Sequence, residues 1–122
     1  MSTLLHNQFL FSTCIQRLIK FGNDNGYEFT FGEVHRTEYQ QKEYVRKGLS
    51  KTANSLHLLR LAADLNIFYD SQLLKLSIDI LPLGNYWKSL SIHNRWGGDF
   101  NNNGDTTDDS FNDPSHFQTN NF

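Results

Sequence analysis

Between Ala62 and Phe68 apolar and polar side chains alternate. Ala63, Leu65 and Ile67 fall on one face, Asp64 and Asn66 on the other. A period of two residues marks a strand with one buried face. The pattern therefore predicts a sheet strand from which Asp64 projects, a rigid platform that suits a ligand. His57 stands seven residues before Asp64, and a second carboxylate and imidazole, Asp113 and His116, lie far along the chain. Two imidazoles and one carboxylate (His57, Asp64 and His116) are a chemically sound zinc set. Three protein ligands leave the fourth position to water, as catalytic zinc sites do. The remaining carboxylate, Asp113, would sit beside that water as a proton shuttle.

Bulk properties narrow the class. The 122 residues suffice for one domain, residues 1–122, around one core. With 38% apolar and 20% charged residues, the chain is expected to fold as a globule. The net charge of −2 hides an asymmetry: residues 1–98 carry 11 bases and eight acids, whereas residues 99–122 carry five acids and no base. That is no nucleic-acid footprint, but it concentrates carboxylates where a cation could be held. The single cysteine, Cys14, excludes a disulfide framework and a cysteine zinc cluster. It reads as a small buried thiol on a helix, with a nucleophile as the alternative. No apolar run reaches the ~20 residues of a membrane span. His6, Asn7 and Gln8 interrupt the first apolar stretch, and no positive segment precedes it. Neither membrane insertion nor a signal peptide is expected.

Periodicity predicts a helix over residues 3–21, with Gly22 just past its end, and a strand from Tyr27 running to His35 or Arg36. Thr37 and Gln40 form a capping-box pattern opening a helix that ends near Gly48. Residues 49–56 read as a polar loop, and residues 71–81 as either helix or extended chain. Pro82 is expected to open a helix over Leu83–Leu90. Residues 91–98 read as a loop and residues 99–112 as a long surface loop. His116–Gln118 reads as a short final strand. Trp87 and Trp96 are expected in the core, with Trp96 also a candidate cleft wall. Gly97 and Gly98 are expected to serve backbone geometry.

Five ordered blocks then point to a family. They are Gly32-Glu33-Val34-His35-Arg36-Thr37 with Gln40-Gln41; Ser55-x-His57; Ala62-x-Asp64-Leu65; Leu83-Gly84 with Trp87 and Trp96-Gly97-Gly98-Asp99-Phe100; and Asp113-x-x-His116-Phe117. Together they resemble the zinc peptidases that include bacterial D-Ala-D-Ala dipeptidases and carboxypeptidases and phage L-alanyl-D-glutamate endolysins. Arg60 stands where many carboxypeptidases have glycine, as in phage-type members. His35 replaces a common tyrosine. The resemblance implies an α+β fold of the hedgehog/DD-peptidase kind, a small antiparallel sheet with packed helices and a zinc cleft on the sheet.

Carried over by position, the resemblance implies zinc on His57, Asp64 and His116, with Asp113 as catalytic acid/base. Arg36 would stabilise the oxyanion or grip a substrate carboxylate, and Ser55 would bind substrate. Taken singly, each has a plainer reading: Asp64 as a strand-end polar residue, Asp113 as a turn starter before Pro114, Arg36 as a surface ion-pair partner. His6, His35 and His93 keep the plain reading of surface or core histidines. The activity implied is zinc-dependent hydrolysis of the L-Ala–D-Glu bond in peptidoglycan stem peptides. A D-Ala-D-Ala carboxypeptidase is one alternative, and a non-catalytic wall-binding or virion module retaining the fold is another. The implied setting is a monomer made in the host cytoplasm and helped to the wall by a holin.

Asp99, Asn101, Asn103 and Asp105, with Gly104 at the sixth position, share the opening spacing of a calcium loop. The twelfth position is Ser110 rather than glutamate, so Asp108 or Asp109 would have to complete the set. A polar loop without an ion is the alternative.

Overall fold

The computed structural model describes residues 3–35, 37–48, 56–107 and 112–120. In chain order its elements are α1 (Thr3–Asp24), β1 (Tyr27–Phe31), α2 (Glu38–Arg46), a 3-10 turn (Leu56–Leu59), β2 (Ala62–Tyr69), β3 (Gln72–Leu73), α3 (Ser77–Leu90), β4 (Asn94–Trp96) and β5 (His116–Thr119). The strands form one antiparallel sheet in the order β1-β2-β5-β4, with β3 also paired to β2. This is the α+β architecture expected. β5, the last strand in sequence, lies inside the sheet, and it sets Asp64 opposite His116.

The alternation in β2 sorts its side chains as anticipated. Ala63, Leu65 and Ile67 are buried, while Asp64 and Asn66 face the open side. β5 repeats the pattern, burying Phe117 and Thr119 and leaving His116 and Gln118 on the face of Asp64. α1 and α3 cover the other face. Phe11 and Phe117 meet the Trp87 ring edge-on at centroid distances of 5.8 and 5.7 Å.

Four boundaries differ from the sequence reading, each for a packing reason. α1 runs through Gly22 to Asp24, because the Phe29 ring lies against the bare Gly22 Cα. The left-handed residue beyond its end is Gly26, at φ 90°. Pro82 lies inside α3 and does not open it. Ile80, Leu83, Gly84 and Trp87 form one buried helical stripe that begins before the proline. Burying Ile80, Leu83 and Trp87 at about 1.5–3 kcal/mol each outweighs the roughly 3 kcal/mol that an interior proline costs a helix. The stretch read as a loop contains β4, a strand of three residues held by β5. β1 ends at Phe31, yet Gly32 N donates to Asp64 O (2.8 Å) and Asp64 N donates to Glu33 O (2.7 Å). Two residues thus face one, and this bulge steers the chain across the open face.

The ambiguous stretch after residue 70 resolves into both forms. Asp70 and Ser71, at φ 52° and 64°, make the tight turn into β3, and α3 follows. The capping box on α2 is present as read, Thr37 accepting from Gln40 N at 3.1 Å and donating its own N–H to Gln40 Oε1 at 3.0 Å. Trp96 is a core residue and no cleft wall; it is fully buried, its ring contacted by Gly84 and Gly98 and its Nε1 donating to Pro114 O at 2.8 Å. Cys14 is buried as expected, and burial pushes its thiol pKa up. Among the described residues no helix is long and apolar enough to cross a membrane.

Candidate metal centre

Three elements deliver three donors to one point. The 3-10 turn carries His57, β2 carries Asp64 and β5 carries His116; their ligand atoms all lie within 4.8 Å of one another. Asp64 Oδ1 is 3.1 Å from His116 Nδ1 and 3.5 Å from His57 Nε2. The other nitrogen of each ring faces an acceptor. His57 Nδ1 is 3.4 Å from Val34 O, and His116 Nε2 is 2.8 Å from Gln118 Oε1. If those outer nitrogens carry the protons, both inner nitrogens offer lone pairs to the same point. Metal-bound imidazoles are oriented in this way.

Charge is concentrated here. Burial pulls the Asp64 carboxyl upward, but the two imidazoles beside it outweigh burial and hold it well below the usual carboxylate range. Burial likewise depresses His116. The hydrogen bond and charge of Asp64 prevail, aided by Gln118 and Asp113, and raise the imidazole pKa above its ordinary value. A negative donor between two imidazoles, near a further carboxylate, suits a divalent cation of the zinc class.

Asp113 lies beside this group without joining it. Its Oδ1 accepts from Ser115 Oγ at 3.1 Å. Its backbone is fixed on both sides, Asp113 N donating to Gly97 O (2.8 Å) and His116 N donating to Asp113 O (3.0 Å). Gly97 N also donates to His116 O at 2.8 Å, so one glycine ties both residues to β4. This is the backbone service expected of Gly97. Arg36 and Ser55 lie outside the described residues, as does the stretch 49–55 read as a loop.

The calcium loop does not assemble as read. Asp99 is fully buried, and Lys88 Nζ donates to its Oδ2 at 2.8 Å; Gly104 N and Asn103 N donate to the same carboxylate. An ammonium thus holds the oxygen that would face calcium. Asn103 Oδ1 accepts from Asp105 N, and Asp105 Oδ1 from Thr107, so these side chains serve local turns. Asp108 and Asp109 lie outside the described residues.

The sequence model of the phage L-alanyl-D-glutamate peptidases matches residues 12–119. The chain belongs to that family. As a phage L-alanyl-D-glutamate peptidase family member it is an enzyme of the peptidoglycan peptidase class, and the resemblance read from the ordered blocks is borne out. Among solved structures it is similar to the crystal structure of Serratia marcescens L-Ala D-Glu endopeptidase ChiX. The TM-score is 0.65 at 20% identity, over 98% of this chain and 87% of that one. At that identity the likeness speaks for the fold. No curated protein matches the chain.

The sequence reading missed two groups that face the outer ring nitrogens of the candidate metal ligands, Val34 and Gln118. Val34 acts through its carbonyl, which any residue would supply, so nothing in the sequence marked it. Gln118 carried a usable signal: two residues past His116 on a strand, it must share that histidine's face.

Proposed function

We propose that the protein is a zinc-dependent endopeptidase that cuts the L-Ala–D-Glu bond of peptidoglycan stem peptides, with residues 1–122 as one catalytic domain. The observation that carries this reading is the convergence of His57 Nε2, His116 Nδ1 and Asp64 Oδ1, backed by acceptors on the outer ring nitrogens. Family membership supplies the bond.

Zinc held by these three residues would supply a Lewis acid for the scissile carbonyl and an acidified water. Asp113 takes a proton from the attacking water and passes it to the departing amine. Ser115 Oγ donates to one Asp113 oxygen, and among the described residues no hydrogen bond holds the other. Arg36 is assigned to the oxyanion or to a substrate carboxylate, where a fork of donors suits either. Ser55 is assigned to a substrate hydrogen bond. The enzyme acts as a monomer on the wall, made in the host cytoplasm and admitted by a holin; phage-family membership is the support for this setting.

Arg60 stands against the carboxypeptidase alternative as a mark of phage-type members, not as a contact that selects the bond. Its φ of 57° is left-handed, a conformation glycine adopts freely, so arginine or glycine there answers to the backbone.

The test is a peptidoglycan digest with zinc-loaded protein and with Asp113→Ala, read by mass spectrometry. Fragments with a new amine on D-Glu, absent with the variant, are the expected result. Loss of terminal D-Ala alone would reassign the enzyme as a carboxypeptidase. Zinc binding with no fragments would mean that the fold is kept for wall binding or virion structure.

A further inference from the structure

His116 has two nitrogens, and only Nδ1 faces Asp64. It can serve there as a neutral donor only if the proton sits on Nε2. Gln118 Oε1 lies 2.8 Å from Nε2 and accepts that proton's hydrogen bond. A glutamine amide could also turn its NH2 toward the ring, which would favour the wrong tautomer. Asn120 opposes the turn. Gln118 Nε2 donates to Asn120 Oδ1 at 2.7 Å, which commits Oε1 to His116. The backbone beneath is pinned as well: Gln118 O accepts from Trp87 Nε1 (3.1 Å), and Asn120 N donates to His93 O (2.8 Å).

We propose that Gln118, oriented by Asn120, is a positioning residue that accepts the Nε2–H of His116 and so holds the ring with Nδ1 turned toward a metal shared with Asp64. The inference rests on the zinc reading of the site and extends it outward by two side chains. The role assigned to both runs through His116.

The experiment measures zinc affinity by competition with a chromophoric chelator for wild type, Gln118→Leu, Gln118→Glu and Asn120→Ala. Long-range 15N–1H spectra of the zinc-loaded proteins report the His116 Nε2–H and its hydrogen bond, since metal-free Asp64 competes for the ring proton at Nδ1. Gln118→Leu is expected to weaken zinc binding about 10–100-fold and to lose the exchange-protected Nε2–H signal. Gln118→Glu keeps an acceptor and is expected to retain both that signal and at least wild-type affinity. Asn120→Ala should fall between them. Thermal unfolding of the metal-free variants identifies any loss of fold, and Gln118→Glu supplies the answer if Gln118→Leu does not fold. Zinc affinity within twofold of wild type in Gln118→Leu, with Nε2–H retained, would overturn the proposal and leave the zinc reading standing. Loss of affinity in Gln118→Glu equal to that in Gln118→Leu would also overturn it. A wild-type protein that binds no zinc would overturn both readings.

Discussion

Gly97 and Asp113 approach so closely that the Gly97 Cα leaves no room for a methyl group against the Asp113 carbonyl. The contact is backbone to backbone, so no rotamer change relieves it. Gly97→Ala should cost about 1–3 kcal/mol in a denaturant titration. It should also lower activity by about 100-fold, since the displaced segment carries both Asp113 and His116. An alanine variant with full activity would mean that this segment is not positioned by Gly97.

Binding and chemistry should separate by residue. His57→Ala removes a metal donor and should abolish both zinc binding and hydrolysis. Asp113→Ala leaves the three donors in place, so zinc affinity should stay within a few-fold while hydrolysis falls by 10²–10⁴-fold, roughly the worth of a positioned proton carrier. Chelator competition and stem-peptide turnover on the same preparations measure the two quantities.

Metal-free and zinc-loaded protein should respond oppositely to pH. A raised His116 pKa stabilises the metal-free fold fully below the unfolded value of about 6.5, and that stability is lost as pH rises through the folded value. The depressed pKa of Asp64 works at the acid end, its contribution present above about 3.9 and lost as pH falls toward the folded value. Zinc needs the neutral imidazole, so its apparent affinity should climb with pH, about tenfold per unit until His116 has lost its proton. Melting temperatures from pH 6.5 to 8.5 should therefore fall with chelator and rise with limiting zinc. Parallel curves would show that His116 does not exchange its proton for metal.

Lys88 and Asp99 form an ion pair at 2.8 Å with the carboxylate fully buried. Lys88→Met strands that charge and should cost about 3–5 kcal/mol of unfolding free energy. For the same reason, millimolar calcium should leave the wild-type melting temperature unchanged. A calcium-dependent rise would restore the reading of residues 99–109 as an ion loop.

Arg60→Gly should leave the bond cut unchanged and raise stability by up to about 1 kcal/mol, because glycine meets no penalty at φ 57°. A switch to release of terminal D-Ala, seen by mass spectrometry, would return Arg60 to the specificity determinants.

What the sequence revealed depended on whether each position's role lay in its side-chain type. The alternation from Ala62 to Phe68 reports burial directly, so β2 and the outward Asp64 were legible, as was the capping box at Thr37 and Gln40. His57 and His116 were legible because few side chains ligate metal. β4 was not, since three residues are too few for a period and its partner strand lies twenty residues further on. Pro82 misled because local preference for a helix start was outweighed by the buried stripe from Ile80 to Trp87. Gly22 misled because its value lies in what it lacks, a side chain in the path of Phe29.

The position of β5 between β2 and β4 has a consequence for the timing of synthesis. A nascent chain acquires His57 and Asp64 more than fifty residues before His116. Until β5 emerges, the sheet lacks the strand that joins its two halves, and the donor set is incomplete. Order of synthesis therefore leaves an interval in which two of the three candidate donors, His57 and Asp64, stand without the third.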